Sequence, residues 1–298
     1  MLGVSFSNPW IVAADAARRR IPAWAGLLIA VAILAAGMIA GPRLYMALPN
    51  PAETLGEGLG ATALDRLLLF LCVIGPLAAG AVLIGRMFEG RPRPTGGMNP
   101  LLAIVLGLLV GGVGLGAALG GAALLGAVST GAAAPVAAGA AGVLASALLI
   151  GFQAGGEELF FRGWLQPLLS ARWGPWIGLI VSSILFAGAH AIAEPMGLLA
   201  LANITLAGVV FGLLAMRTGG LWAPFAAHWA WNWSEQALAG AVPNPGVDPL
   251  GSLVDLDLSG PALLSGGADA LNGAVSVTVV LALLALGLGL AGAFRRGA

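Results

Sequence analysis

The chain has 298 residues, 59% of them hydrophobic and only 9% charged, and its mean hydropathy is +0.97. A soluble domain carries about 25% charged residues, so this chain cannot clothe itself in polar surface and reads as a polytopic membrane protein. Its formal net charge is zero, which gives no electrostatic footing for nucleic acid, and a lone cysteine, Cys72, excludes an intramolecular disulfide framework and a cysteine metal cluster.

Crossing about 30 Å of hydrocarbon takes about 20 apolar residues. That rule predicts an all-α bundle of about eight spans, near 22–41, 64–85, 101–126, 135–162, 174–192, 196–216, 219–238 and 272–294. Residues 1–21 read as a cytoplasmic segment and 22–298 as one membrane domain. Arg18, Arg19 and Arg20 precede an apolar run too long for a secretory signal and without a convincing cleavage site. In the third span Gly112, Gly116 and Gly120 recur every four residues beside Gly107 and Gly111, a small-residue seam expected to pack against another helix. The fourth span starts in a low-complexity Ala/Gly stretch and is long enough to protrude. The loop 239–271 reads as a lid or a solvated connection; its "DLDLSG" only faintly resembles a calcium loop, lacking the ligand spacing and the closing Glu.

Arginines set the expected orientation through the positive-inside bias. With the N-terminus in the cytoplasm, Arg18, Arg19, Arg20, Arg86, Arg91, Arg93, Arg172, Arg217, Arg295 and Arg296 all fall inside, and only Arg43 and Arg66 fall outside. An even number of spans then returns the C-terminus to the cytoplasm, in what is expected to be a bacterial plasma membrane.

Charges within spans are few. Apart from Asp65 and Arg66 at the mouth of the second span, Glu157, Glu158, Arg162 and Glu235 are the ones present, and both histidines of the chain, His190 and His228, lie in spans. Each such charge costs about 2.5–3.5 kcal/mol on the insertion scale and marks a functional candidate. Glu158 and Arg162 are spaced i, i+4 with the acid first, the better orientation for a helical ion pair. Glu157 is rotated by about 100° from Glu158 and has no such cation, which suits a general base. Glu157 and His190 lie equally far, in opposite directions, from the Gly174-Pro175 break, so an antiparallel hairpin brings them to one depth. His228 and Asn232 share a helix face by the same i, i+4 rule. Trp229, Trp231 and Trp233 cannot share one face, so some are expected against lipid or at its interface.

Glu157-Glu158-x3-Arg162, Phe186-x3-His190 and His228-x3-Asn232, in this order over about 150–235, resemble the CPBP family of CAAX-protease and bacteriocin-processing membrane proteins. The resemblance implies a hydrolase that cuts a peptide bond of a membrane-associated or prenylated, CAAX-like substrate. In it Glu157 activates water, His190 orients or deprotonates that water, and His228 with Asn232 stabilises the oxyanion, while Glu158, Arg162 and Phe186 support them. The family is often labelled metalloprotease; a divalent metal such as Zn, if present, would take Glu157, His190 and His228, although no HExxH helix is present. A metal-free glutamate mechanism is preferred, because Asn232 suits oxyanion donation better than zinc. The implied partners are the lipid bilayer and a peptide or protein substrate. Two other functions stay open: a non-catalytic immunity or partner-binding protein, and a proton-coupled transporter, although no inverted repeat supports the latter.

Overall fold

The computed structural model describes residues 9–17, 20–89, 97–131, 140–241 and 250–290. A short helix α1 (Pro9–Asp15) leads into the long apolar helices α2 (Ala23–Leu55), α3 (Leu59–Val73), α4 (Gly75–Met87), α5 (Pro100–Leu124), α6 (Ala141–Trp173), α7 (Pro175–Ala193) and α8 (Leu198–Thr218). Helix α9 (Trp222–Trp233) continues as a π-helical turn, Ser234–Ala239, and α10 (Val275–Leu290) follows a 3₁₀ segment, Gly267–Gly273. The protein is an all-α membrane bundle. Among the described residues six helices are long and apolar enough to cross a membrane, and the α3–α4 pair, bent by 41°, adds a seventh if it counts as one span. The helix predicted at 219–238 is present as Trp222–Ala239, but it carries His228, Asn232, Ser234, Glu235 and Gln236 and packs against α5, α6 and α8. Its polar content follows from that interior position.

Local sequence sets the boundaries. Asn99 caps α5, its side-chain oxygen accepting from the Leu101 N–H at 3.0 Å, with Pro100 as the first helical residue, the arrangement that leaves fewest orphan donors. Gly174 at φ +91 ends α6 and Gly219 at φ +72 ends α8, conformations that glycine adopts without a Cβ penalty. Two π turns, Ala36–Ala40 and Phe161–Leu165, stand just before Pro42 and Pro167. Proline lacks the N–H for the i−4 bond and crowds that carbonyl, so the preceding turn widens rather than breaks.

The helix seam on α5 is real but shifted from its expected face. Ala103, Gly107, Gly111, Gly114, Leu115, Ala118 and Ala122 are buried. Gly107 and Gly111 lie against the Ala223 and Ala227 carbonyls of α9, while nothing lies within 4 Å of a Cβ built at Gly112, Gly116 or Gly120. The small residues on α9, Ala223, Ala226 and Ala227, decide which glycines are inside. Gly111→Val is therefore expected to cost about 3 kcal/mol, the upper end for overpacking, because backbone cannot move aside; Gly112→Val should be nearly neutral. Thermal midpoints of the two variants in detergent measure the difference.

The three tryptophans do not share one face. Trp229 and Trp233 stack at 5.5 Å and donate to the Ala147 and Val143 carbonyls of α6, while Trp231 sits beside Gly114 of α5. Trp231 is buried, while Trp229 and Trp233 stay half-buried.

The described part of the 239–271 loop is folded. Strand β1 (Val128–Thr130) pairs antiparallel with β2 (Leu256–Leu258), Val128 opposite Leu258, so the "DLDL" stretch is mostly strand. Leu258 and Leu271 are buried, and the Asp269 carboxylate accepts from the Gly197 N–H at 3.1 Å, satisfying an orphan donor at the start of α8. At the other end Arg172 ties α1 to α6 through Asp15, the Ala14 carbonyl and the Ile21 carbonyl. Of the orientation arginines, Arg18, Arg19, Arg91, Arg93, Arg295 and Arg296 lie outside the described residues, as does residue 135, where the fourth span was expected to start.

Candidate active site

The helix carrying "GGEELFFRGW" supplies three of the site's side chains. Glu157, Glu158 and Arg162 are all buried. The expected pair forms: Arg162 Nη1 donates to Glu158 Oε1 at 2.9 Å. Within the π turn the Gln166 N–H reaches the Phe161 carbonyl, and the side chains beyond it dock on α8. Arg162 Nη2 donates to the Gly208 carbonyl at 3.1 Å and Gln166 Nε2 to the Gly212 carbonyl at 3.2 Å. Both glycines also permit close helix approach, since a Cβ at either would collide with Ser183 or Leu179.

The guanidinium of Arg162 is enclosed by rings. Its Cζ lies 4.4 Å from the Phe186 centroid, 5.4 Å from Phe211 and 5.7 Å from Phe161. These faces carry negative electrostatic potential, so the buried cation has one carboxylate, one carbonyl and three aromatic surfaces about it. Phe186 also touches both histidines, 4.7 Å from His190 and 5.8 Å from His228 by centroid. It is the spacer that holds them apart.

Hydrogen bonding fixes the histidines. His190 Nδ1 lies 2.9 Å from the Phe186 carbonyl; a carbonyl only accepts, so Nδ1 carries the proton and Nε2 is left as the basic nitrogen. His228 Nδ1 lies 2.9 Å from Glu158 Oε1 and is a donor by the same logic. Its ring stacks on Phe211 at 4.9 Å with a 15° tilt. Glu158 thus serves two cations or potential cations with one oxygen, a role wider than the single Arg162 pairing expected from spacing.

Two adjoining cavities gather the remaining groups. The first, about 400 Å³, is lined by Glu157, Gln153 and His190 with an apolar wall from Phe70, Val73 and Ile74. Glu157 and His190 therefore share a cavity, as the hairpin symmetry predicts. Gln153 Nε2 donates to Glu157 Oε1 at 3.2 Å, and Glu157 Oε2 has no partner among the described residues. The second cavity, about 190 Å³, is lined by His190, His228 and Asn232. His190 and Gln153 belong to both. The four expected catalytic residues thus line two cavities that have His190 and Gln153 in common.

The conditional metal set is not assembled. Among the described residues no group of three or more His, Cys, Asp or Glu side chains could hold a metal ion, and His228 turns its Nδ1 to Glu158. Gln153 and Phe211 went unremarked in the sequence. The spacing Gln153-x3-Glu157 was a usable signal, because i, i+4 places both on one face; Phe211 sits in an apolar run and had none.

Residues 135–234 match the family described as type II CAAX prenyl endopeptidase Rce1-like. An Escherichia coli relative, described as an uncharacterized 24.3 kDa protein, is 35% identical over 74 residues, 24% of this chain and 33% of that protein. The chain thus matches about a third of that relative's length. No solved structure matches.

Proposed function

We propose that this chain, whose residues 135–234 are similar to the Rce1-like family, is a CPBP-family, membrane-embedded endopeptidase acting on a membrane-associated or prenylated, CAAX-like protein, with both termini cytoplasmic. The observation that carries the reading is the meeting of Glu157 and His190 in one cavity, with His190 also lining the second cavity beside His228 and Asn232.

The chemistry follows from the free atoms. A water between Glu157 Oε2 and His190 Nε2 gives a proton to the carboxylate as its oxygen bonds to the scissile carbonyl carbon. The carbonyl oxygen becomes an oxyanion facing His228 and Asn232. His228 Nδ1 is committed to Glu158, so an Nε2–H donor makes the ring an imidazolium, with Glu158 as its counter-charge. Collapse breaks the C–N bond, and the proton held by Glu157 passes to the leaving nitrogen, giving one carboxylate and one amine.

Asn232 is a donor in this scheme and holds no other catalytic duty. Asn232→Ala should slow turnover by about 10²–10³-fold, the usual loss for one oxyanion donor, with little change in KM because the bond strengthens only in the transition state. Steady-state kinetics on a membrane-protein substrate, identified by comparing membrane proteomes with wild type and Glu157→Ala, make the test. A raised KM with unchanged kcat would move Asn232 to substrate binding.

A further inference from the structure

The catalytic scheme leaves the buried carboxyl of the second cavity unused. Glu235 follows His228 and Asn232 on the same helix and lines the second cavity; it is 5% exposed, and its Oε1 has no hydrogen-bond partner among the described residues. No arginine lines that cavity, His228 on the same wall turns its Nδ1 to Glu158, and the Glu235 side chain hydrogen-bonds with Trp231. The Asn203 carboxamide on the same wall is already engaged, donating to the Asn272 and Ala274 carbonyls and accepting from Thr278. The rest of the wall is mixed, with Phe211, Trp231, Val277 and Leu281 beside Gln153, Gln236 and Asn272.

A cavity of about 190 Å³ with a mixed wall and one carboxyl can take a long side chain with a charged tip. Lysine and arginine bury an aliphatic stem while their charged end seeks a polar partner, and aromatic faces add cation–π attraction. A buried carboxylate with no direct ion-pair partner is costly, and a cation arriving with the substrate lowers that cost. A neutral isostere does not.

We propose that the second cavity is a specificity pocket for a basic side chain of the peptide substrate, with Glu235 receiving its ammonium or guanidinium. The pocket deepens the endopeptidase reading and rests on it. Because His190, His228 and Asn232 share its wall, the basic residue lies close to the scissile bond.

The test has two arms, both on the purified full chain in detergent micelles. In the first, n-butylamine, n-propylguanidine and the neutral 1-pentanol are titrated and followed by ligand-detected NMR. The two cations should bind in the millimolar range and 1-pentanol at least about 10-fold more weakly, since a charge-assisted bond is the difference. Glu235→Gln should erase that preference, and Glu235→Asp should keep part of it. Equal binding of butylamine and 1-pentanol to wild type overturns the pocket without reliance on any variant, and so does an unchanged preference in a folded Glu235→Gln protein. In the second arm a peptide library is digested, and Lys or Arg should be enriched about 10–100-fold at one fixed position beside the cut, the range of a charged hydrogen bond. Cleavage without a basic preference overturns the pocket and leaves the endopeptidase standing. Discriminating fragments with no cleavage of any peptide overturn the endopeptidase reading and leave Glu235 as a cation site.

Discussion

Glu157→Gln is expected to abolish cleavage while leaving the protein folded. Glu157 is asked for two proton transfers, one from water and one to the leaving nitrogen, and positioned proton transfer is worth about 10²–10⁴-fold. Losing both should cost at least about 10⁴-fold in kcat. The fold should survive because glutamine keeps the shape and still accepts from Gln153 Nε2, the one hydrogen bond that Glu157 Oε1 makes. No ion pair involves Glu157 among the described residues, so no buried cation is stranded. The measurement is turnover at matched expression, with thermal midpoints beside it. Equal turnover in wild type and Glu157→Gln would end the proposed mechanism.

The contrast between Glu157 and Glu158 was partly legible in the sequence, and the way it was legible is instructive. Twenty-residue apolar runs declare themselves because the bilayer demands them, and a few charges inside them stand out because each is costly. Periodicity then pairs Glu158 with Arg162 within one helix. It says nothing about partners 70 residues away, so the His228–Glu158 bond was invisible. The same limit explains the α5 seam: Gly112, Gly116 and Gly120 have the spacing of a packing face, but the alanines of α9 choose Gly107 and Gly111 instead. The 219–238 helix read as a span by length, yet its polar residues belong to an interior wall that only the assembled bundle supplies. The strand β2 had no signal, since its partner, Val128–Thr130, lies beside a low-complexity stretch far upstream.

Glu158→Gln should be damaging in two separable ways. From spacing alone the loss would be structural: Arg162, 2% exposed, keeps its charge and loses its carboxylate, a break that costs about 3–5 kcal/mol for a buried pair. The aromatic enclosure by Phe161, Phe186 and Phe211 softens the loss without cancelling it, because cation–π contacts are worth about 2 kcal/mol when desolvated. The bond to His228 adds a second loss. Without the carboxylate the ring is no longer oriented, so one oxyanion donor weakens and kcat should fall by roughly 10²-fold. The two effects part company in the double variant Glu158→Gln with Arg162→Met. Removing the stranded cation should return most of the thermal midpoint, while turnover should stay low, because His228 still lacks its partner. A double variant with wild-type stability and wild-type turnover would reduce Glu158 to a counter-charge for Arg162. A single Glu158→Gln variant as stable as wild type would show that the rings and the Gly208 carbonyl suffice for the guanidinium, and the fall in kcat would then be the whole of what Glu158 contributes.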